Sequence, residues 1–281
     1  RVLRLSSSFN SNGFKTKLLS YNSLTDHKKK SDNNIFKTLS RNYSLSQKII
    51  EYSKKEDCVI ISRGIYLAIF LGYFSLFNKI TYGIDFHCKL DSITEWLYNR
   101  KYLSVILFSP LFLLSIIKSN FAIGITTPIC DNLSNFFGKK TFCIPNGISL
   151  KSLQSKIDNN SSTIKLPAKK KYVFFIGHQE PWVPLDEFLE ASEVFTNYGF
   201  VVIGESQSYK YYSKKYTSAI FLGKLSHKET LNLAKKYADF FFHPYQNNEI
   251  WKYKSSRKLL EYIALEKPIL INTKKFLPEG L

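Results

Sequence analysis

Short apolar runs alternate with amphipathic stretches through the second half of the chain. Continuous apolar runs bounded by glycine or polar residues are typical of strands buried on both faces. Between these runs, apolar residues recur at the spacing of one helix face. The pattern predicts strands at 172–176, 200–203, 219–222, 240–242 and 269–271. It predicts helices at 185–198, 209–216 and 227–237, with Ser226 and Glu229 as a capping box for the third, and a further helix that starts after Ser255 or Ser256 and stops at Pro268.

The first half shows the same alternation, with longer polar interruptions. Its apolar runs predict strands at 1–5, 58–62, 80–84, 122–127 and 141–144. Helical spacing predicts helices at 14–21, 44–55, 66–77 and 128–137, with Ser44 as the cap of the second. Residues 22–35 are polar and charged, which favours a loop.

Strands that alternate with helices imply parallel sheets with right-handed crossovers. Both halves show this order, so the sequence predicts an α/β chain with two Rossmann-like domains. Residues 151–171 are rich in Ser, Asn and Lys, which predicts a linker between a domain at 1–150 and a domain at 172–281. The chain contains no Met and stops just after a predicted strand, so we expect it to be truncated at both ends.

The charge balance points to an anionic partner. The chain has 40 Lys+Arg against 22 Asp+Glu, a net charge of +18, which suits nucleic acid, acidic lipid or a phosphorylated substrate. The four cysteines form no C-x-x-C pair, and three of them lie inside or beside apolar runs. We therefore expect reduced core cysteines in a cytosolic protein and no zinc site. The first 20 residues lack the apolar core of a signal peptide.

Residues 103–117 form the most apolar run of the chain. They are flanked by Arg100, Lys101 and Lys118, and Pro110 interrupts them. The run is short for a membrane span. Two interpretations remain open: a helix buried in the core, or a helix that dips into an anionic membrane surface, which the flanking positive charge favours.

The stretch 255–271 is the best candidate for a binding site. Ser255 or Ser256 can cap a helix whose free first amides and positive dipole end attract phosphate. Lys258 lies in the first turn, and Glu261 follows it, where a carboxylate could accept a hydrogen bond from a ribose diol. The alternative is a surface helix with ordinary capping.

Other candidates lie at turns and at strand ends, where ligands of open α/β sheets gather. Arg63 follows the strand at 58–62, and Asp85 and His87 follow the strand at 80–84, where they suit acid, base or sugar-hydroxyl contacts. Gly13 lies in an early Asn-Gly turn and is a further candidate contact for acceptor or phosphate. A surface arginine and a structural histidine remain the alternatives. The chain has no G-x-G-x-x-G and no Walker A motif, which weighs against dehydrogenases and P-loop NTPases.

The motifs together resemble the retaining glycosyltransferases of family 4, also called group 1, which have the GT-B fold of two Rossmann-like domains facing a cleft. Residues 144–148 (IPNGI) resemble the turn that closes the first domain of that family, and 258–264 (KLLEYIA) with Lys267-Pro268 resemble its donor-site helix. Supporting similarities lie at 85–87 (DFH), 175–177 (FIG), 185–191 (LDEFLEA), 221–223 (FLG) and 238–244 (ADFFFHP). The resemblance covers the chain from about Cys58 onwards.

The resemblance implies an enzyme that transfers a sugar from a nucleotide-sugar donor and needs no tightly bound metal or other cofactor. Glu261 would bind the ribose, and Ser255, Ser256, Lys258 and the amides up to Leu259 would lie by the diphosphate. The loop of Gly177 and His178 would approach the phosphates, and His87 would reach the transferred sugar. Together with the basic charge and the apolar run at 103–117, the resemblance implies a lipid-linked or surface-polysaccharide acceptor. It also implies a cytoplasmic protein at the inner face of the cell membrane.

The sequence also departs from the family pattern. Tyr253 stands where the family often has a glutamate, and Glu249 in the same loop is the candidate substitute. His178 replaces an expected arginine, and an expected lysine near 183–184 is missing. Arg257, Lys258 or Lys254 could replace these missing cations. These departures leave open a catalytically weakened GT-B scaffold. A basic nucleic-acid-binding protein is a further alternative, but dispersed lysines and the lack of a recognised binding motif disfavour nucleic acid as a partner.

Overall fold

A computed structural model describes residues 9–19, 35–87, 102–154, 164–177, 183, 185–205, 209–244 and 253–272. The chain divides into two compact units. The first comprises Arg1–Pro145 with Lys252–Lys254, and the second comprises Asn146–Trp251 with Ser255–Leu281. The strand predicted at 1–5 and most of the loop predicted at 22–35 lie outside the described residues.

The first unit contains a parallel sheet with a helix in each connection between strands. Its elements are α1 (Ile35–Ser53), β1 (Val59–Ser62), α2 (Ile65–Phe74), β2 (Thr81–Phe86), α3 (Tyr102–Lys118), β3 (Phe121–Gly124), α4 (Thr127–Phe137) and β4 (Thr141–Cys143). The strands pair in the order β1–β2–β3–β4, and every pairing is parallel. Neighbouring parallel strands need such helical crossovers, because a tight turn cannot join them.

The second unit contains a five-stranded parallel sheet. Its elements are α5 (Leu150–Gln154), β5 (Tyr172–Ile176), α6 (Asp186–Val194), β6 (Gly199–Ile203), α7 (Tyr209–Lys215), β7 (Ile220–Gly223), α8 (His227–Tyr237), β8 (Phe240–His243), α9 (Arg257–Ala264) and β9 (Ile269–Ile271). The strand order is β7–β6–β5–β8–β9, so the direction of winding reverses between β5 and β8. In sheets of this kind, ligands bind beyond the carboxyl ends of the strands at that reversal.

Three local predictions for the first unit need correction. Helix α1 begins at Ile35, so Ser44 lies inside it and does not cap it. No glycine or proline interrupts the preceding residues, and Leu45 and Ile49 are buried along one face. Residues 14–19 are not helical, although a helix was expected from Phe14. Strand β2 runs on to Phe86, because its last residues pair with β3.

The apolar run at 103–117 forms helix α3, which packs closely against α2. A β-carbon at Gly72 would lie 2.6 Å from the Cα of Ser115, so the glycine lets the two helices touch. The Tyr82 hydroxyl donates to the carbonyl of Ser115 at 2.6 Å and joins α3 to the sheet. Burial raises the pKa of this phenol to about 12. One face of α3 is therefore part of the core.

The other face of α3 remains apolar at the surface. Phe112 and Ile116 are buried, whereas Leu113 is 45% and Ile117 is 59% exposed. Lys139 donates to the carbonyls of Ile117 and Ser119 and so caps the end of the helix. Within the described residues, no helix is long and apolar enough to cross a membrane. The buried face fits the interpretation as a core helix, and the exposed apolar face fits the interpretation as a helix at a membrane surface.

Two apolar layers cover the sheet of the second unit. Phe174 and Phe241 alternate with Phe175 and Phe242 along adjacent strands, so each pair joins a different layer. Helix α8 begins with a capping box, in which the Ser226 side chain and Glu229 satisfy each other's backbone amides, as the sequence predicts. The sheet thereby forms a rigid base for the loops at its carboxyl edge.

Candidate functional site

Helix α9 begins beyond the carboxyl edge of the second sheet, between β8 and β9. Ser256 is the N-cap, and its hydroxyl accepts a hydrogen bond from the amide of Leu259 at 3.3 Å. Leu259 and Tyr262 are buried on the face that packs on the sheet. A helix of this kind leaves its other first-turn amides without intrahelical partners, and its dipole end attracts an anion.

The carboxylate of Glu261 is buried within a cluster of basic side chains. Only 4% of the residue is exposed. Lys258 Nζ lies 2.9 Å from Oε2, and His227 Nε2 lies 3.3 Å from Oε1. The Arg257 guanidinium is 4.0 Å from Oε1. A buried carboxylate is costly unless it is paired and hydrogen-bonded, so these partners explain how it is held here.

The side chain after Glu261 connects α9 to the strand that carries Gly177. The Tyr262 hydroxyl donates to the carbonyl of Ile176 at 3.2 Å and accepts from the amide of Ile176 at 3.1 Å. Strand β8 pairs with β5 at Val173 and Phe174, so the hydroxyl bonds the strand end beyond that pairing. Desolvation raises the pKa of Tyr262, which therefore remains a neutral phenol.

Aromatic contacts hold this side chain in place. The Tyr262 ring stacks on Phe241 with centroids 4.1 Å apart, and His243 at the end of β8 meets its edge at 6.1 Å. Burial lowers the pKa of His243 to about 4, so the imidazole is neutral near pH 7. The Tyr262 side chain thus joins α9 to the end of β5 and to β8.

We expect Tyr262→Phe to lower the free energy of unfolding by about 1–3 kcal/mol, because a buried amide and carbonyl of Ile176 lose their partner. Urea denaturation followed by circular dichroism measures the change. Tyr211→Phe, on a residue that is 60% exposed, is the matched control and should leave the unfolding midpoint unchanged. An unchanged midpoint in Tyr262→Phe would contradict the role given to the hydroxyl.

Three glycines end the adjacent strands β5, β6 and β7. The amide of Gly204 donates to the carbonyl of Gly223 at 2.8 Å. A β-carbon at Gly204 would lie 1.9 Å from the carbonyl oxygen of Gly177, and the φ of Gly204 is +140°. A glycine after a strand can let a ligand approach the backbone closely. At Gly204, the group that approaches the backbone closely is the carbonyl of Gly177.

The turn at Pro145-Asn146-Gly147 contacts the residue before the cap of α9. The Asn146 amide donates to Ser255 Oγ at 3.2 Å, and its side-chain Nδ2 donates to the Ser255 carbonyl at 2.8 Å. Two motifs that lie far apart in the sequence therefore meet at the start of α9.

The departure at Tyr253 has a structural explanation. Tyr253 is buried in the core of the first unit, where its hydroxyl accepts from Asn132 Nδ2 at 3.4 Å. It therefore acts as a packing residue of that unit. Lys254, a candidate replacement for the missing cations, belongs to the same unit, and burial lowers its pKa. Arg257 and Lys258 are the candidate cations that the structure places beside Glu261.

The remaining candidates lie in the first unit or outside the described residues. Arg63 and His87 are exposed at the carboxyl ends of the neighbouring strands β1 and β2, and Asp85 is buried inside β2. Gly13 lies in an exposed turn with φ +84°, a conformation that favours glycine. Roles for His178 and Glu249 stay predictions, because both residues lie outside the described ranges.

Within the described ranges, no group of three or more His, Cys, Asp or Glu side chains could hold a metal ion. Cys58, Cys130 and Cys143 are free thiols; Cys130 is buried, and Cys143 is exposed rather than a core residue.

Sequence reasoning missed His227 and Asn146 as parts of the site. His227 follows the N-cap of α8, and its position in the sequence does not predict a contact with the carboxylate of Glu261 in another helix. Asn146 lies in a motif that we predicted as a turn, but no local pattern identifies its partner. If the strand order had been known, its reversal would have predicted that α9 begins near the end of β5.

Comparison with known proteins finds no matching family model and no significant match among curated proteins. Solved structures do match. They include HepE from Anabaena in complex with UDP-glucose, with 12% identity, a TM-score of 0.53, and coverage of 81% of this chain and 62% of that one. The lipopolysaccharide outer core galactosyltransferase WaaB gives 12% identity, a TM-score of 0.53, and coverage of 91% and 68%.

A third similar structure is the UDP-forming α,α-trehalose-phosphate synthase of Burkholderia xenovorans in complex with glucose-6-phosphate. It has 14% identity, a TM-score of 0.54, and coverage of 86% of this chain and 64% of that one. The chain therefore spans 62–68% of the length of these three structures. The predicted family stays a prediction at such low identity, whereas the predicted fold is confirmed: the chain is an α/β protein with the GT-B glycosyltransferase fold.

Proposed function

We propose that the protein is a glycosyltransferase that uses a nucleotide-sugar donor bound by its second unit. The observation that carries the proposal is the buried Glu261 carboxylate of α9, which contacts Lys258 of the same helix and His227 at the start of α8. This group lies at the reversal of strand order, where α/β sheets bind their ligands. The GT-B fold of the chain, and the UDP-glucose bound by HepE, are consistent with that placement.

Donor binding would redistribute the contacts of Glu261. Lys258 Nζ donates a hydrogen bond to the Glu261 carboxylate. A diphosphate at the start of α9 carries more negative charge than the carboxylate, and so would attract the Lys258 ammonium towards itself. The released carboxylate oxygen would then accept from a ribose hydroxyl. Phosphate binding and ribose binding would therefore favour each other.

The chemical step would depend on stabilising the departing nucleoside diphosphate. The α9 amides, Ser255, Ser256 and Lys258 would receive the charge that develops as the sugar–phosphate bond breaks. We propose transfer with retention of the anomeric configuration, with His87 contacting the transferred sugar and no tightly bound cofactor. Glu249 is the further candidate catalytic group.

For the acceptor, we propose a lipid-linked or surface-polysaccharide precursor at the inner face of the cell membrane. The basic charge of the chain and the exposed apolar face of α3 support this proposal. A sugar-phosphate acceptor is a second candidate, since the similar trehalose-phosphate synthase was solved with glucose-6-phosphate.

A binding panel tests the donor proposal. Calorimetry with UDP, GDP and ADP, followed by transfer assays with the corresponding sugar nucleotides, should show one preferred nucleotide and sugar transfer. Binding without transfer or hydrolysis would favour a catalytically weakened scaffold. If no nucleoside diphosphate binds while duplex DNA does, the glycosyltransferase proposal is wrong and the basic surface serves nucleic acid.

We expect the protein to float with anionic liposomes at low salt, and Ile117→Glu to reduce the bound fraction severalfold, because a charge on the exposed face of α3 opposes insertion. Phe136→Glu, on a 79% exposed residue of α4, is the matched control. Equal flotation of both variants would show that α3 does not contact the membrane. If the wild-type protein does not float at low salt, α3 is only a core helix.

A further inference from the structure

Asn146 is the second-unit residue that contacts Ser255 from the Pro-Asn-Gly turn. It uses both a backbone and a side-chain donor on the same partner residue, at 3.2 Å to Oγ and 2.8 Å to the carbonyl oxygen. One bond fixes the rotation of the Ser255 side chain, and the other fixes its peptide plane. Both residues belong to the second unit.

The bond to Oγ has a consequence for the hydroxyl proton of Ser255. Because Oγ accepts from the Asn146 amide, the hydroxyl keeps its own hydrogen for donation to another group. Phosphate oxygens are acceptors only, so an anion beside the helix start is a suitable recipient.

The bond to the Ser255 carbonyl acts on the helix start. That carbonyl shares its peptide group with the amide of Ser256, the N-cap of α9. Holding the peptide plane therefore sets the direction of the Ser256 amide and the entry of the chain into the first turn. First-turn amides stabilise an anion only when they point at it.

We propose that Asn146 is a positioning residue for donor binding: it orients the Ser255 hydroxyl and the first amides of α9 towards the donor's diphosphate. This inference rests on the proposed function, because it assigns a role within the same site. It gives the Pro-Asn-Gly turn a role in diphosphate binding, beyond that of a turn at the end of β4.

The test measures binding of UDP, GDP or ADP, whichever the wild-type protein binds, to Asn146→Ala and Ser255→Ala. We expect each variant to lose about tenfold in affinity, the loss expected for one hydrogen bond to a charged group. In the transfer assay, the KM for the donor should rise while the KM for the acceptor stays unchanged. Since the two residues act together, the double variant should lose much less than the product of the single losses.

Asn78→Ala is the matched control. Its Nδ2 donates to the carbonyl of Phe74 at 3.0 Å, so it loses the same kind of bond in the first unit. We expect it to leave nucleotide affinity unchanged. If Asn146→Ala loses thermal stability but binds the nucleotide as tightly as wild type, the inference is overturned and the proposed function stands. If Asn146→Ala does not fold, the nucleotide affinity of Ser255→Ala tests the inference. A loss of affinity supports it, and an unchanged affinity overturns it. If wild type binds no nucleoside diphosphate, the proposed function itself fails.

Discussion

Replacing Glu261 with glutamine should weaken binding of the nucleoside diphosphate by about 1–3 kcal/mol, the range for losing a charged hydrogen bond. The ribose diol would then face a neutral amide that accepts less strongly. Lys258 and His227 would also lose the negative charge of the carboxylate that they contact. Calorimetric titration of the preferred nucleotide measures the change directly.

Glu190→Gln makes a matched control for this prediction. Glu190 is exposed on α6 of the same unit, so the variant makes the same charge change away from the candidate site. Its affinity should equal that of wild type. Unchanged affinity in Glu261→Gln, with circular dichroism showing an intact fold, would remove Glu261 from the donor site.

Replacing Gly204 with alanine should lower the free energy of unfolding by about 3 kcal/mol or more, or prevent folding. Two physical causes add together at this position. The new β-carbon would lie 1.9 Å from the carbonyl oxygen of Gly177, which is backbone and cannot rotate away. The φ of +140° is also a conformation that residues with a side chain rarely adopt. Urea denaturation measures the change.

Two other glycines separate these causes. Gly138 has a φ of +59° with open space around its Cα, so Gly138→Ala should cost only the conformational strain, about 1 kcal/mol. Gly147 has open space and no positive φ, so Gly147→Ala should be close to neutral. If Gly204→Ala were no worse than Gly138→Ala, the close contact with Gly177 would not be a determinant of stability.

The local sequence determined the secondary structure of the second unit. The continuous apolar run at 172–176 predicts β5, and the structure has the same bounds. Ser226 with Glu229 predicts the start of α8, and Ser256 caps α9 as one of the two serines proposed. These features depend on neighbouring residues alone, so periodicity and capping chemistry are enough to find them. The same reasoning failed at 14–19 and at Ser44, where the spacing of a few residues was ambiguous.

Only the tertiary structure decided which groups meet at the candidate site. The reversal of strand order brings α9 beside the end of β5, where the Tyr262 hydroxyl bonds Ile176. It also pairs His227 with Glu261 and Asn146 with Ser255. Motifs predict Glu261 and the start of α9 as a candidate site, because that prediction depends on local chemistry. They could not identify partners distant in the chain, because those contacts follow from the order in which the strands assemble, which local periodicity does not encode.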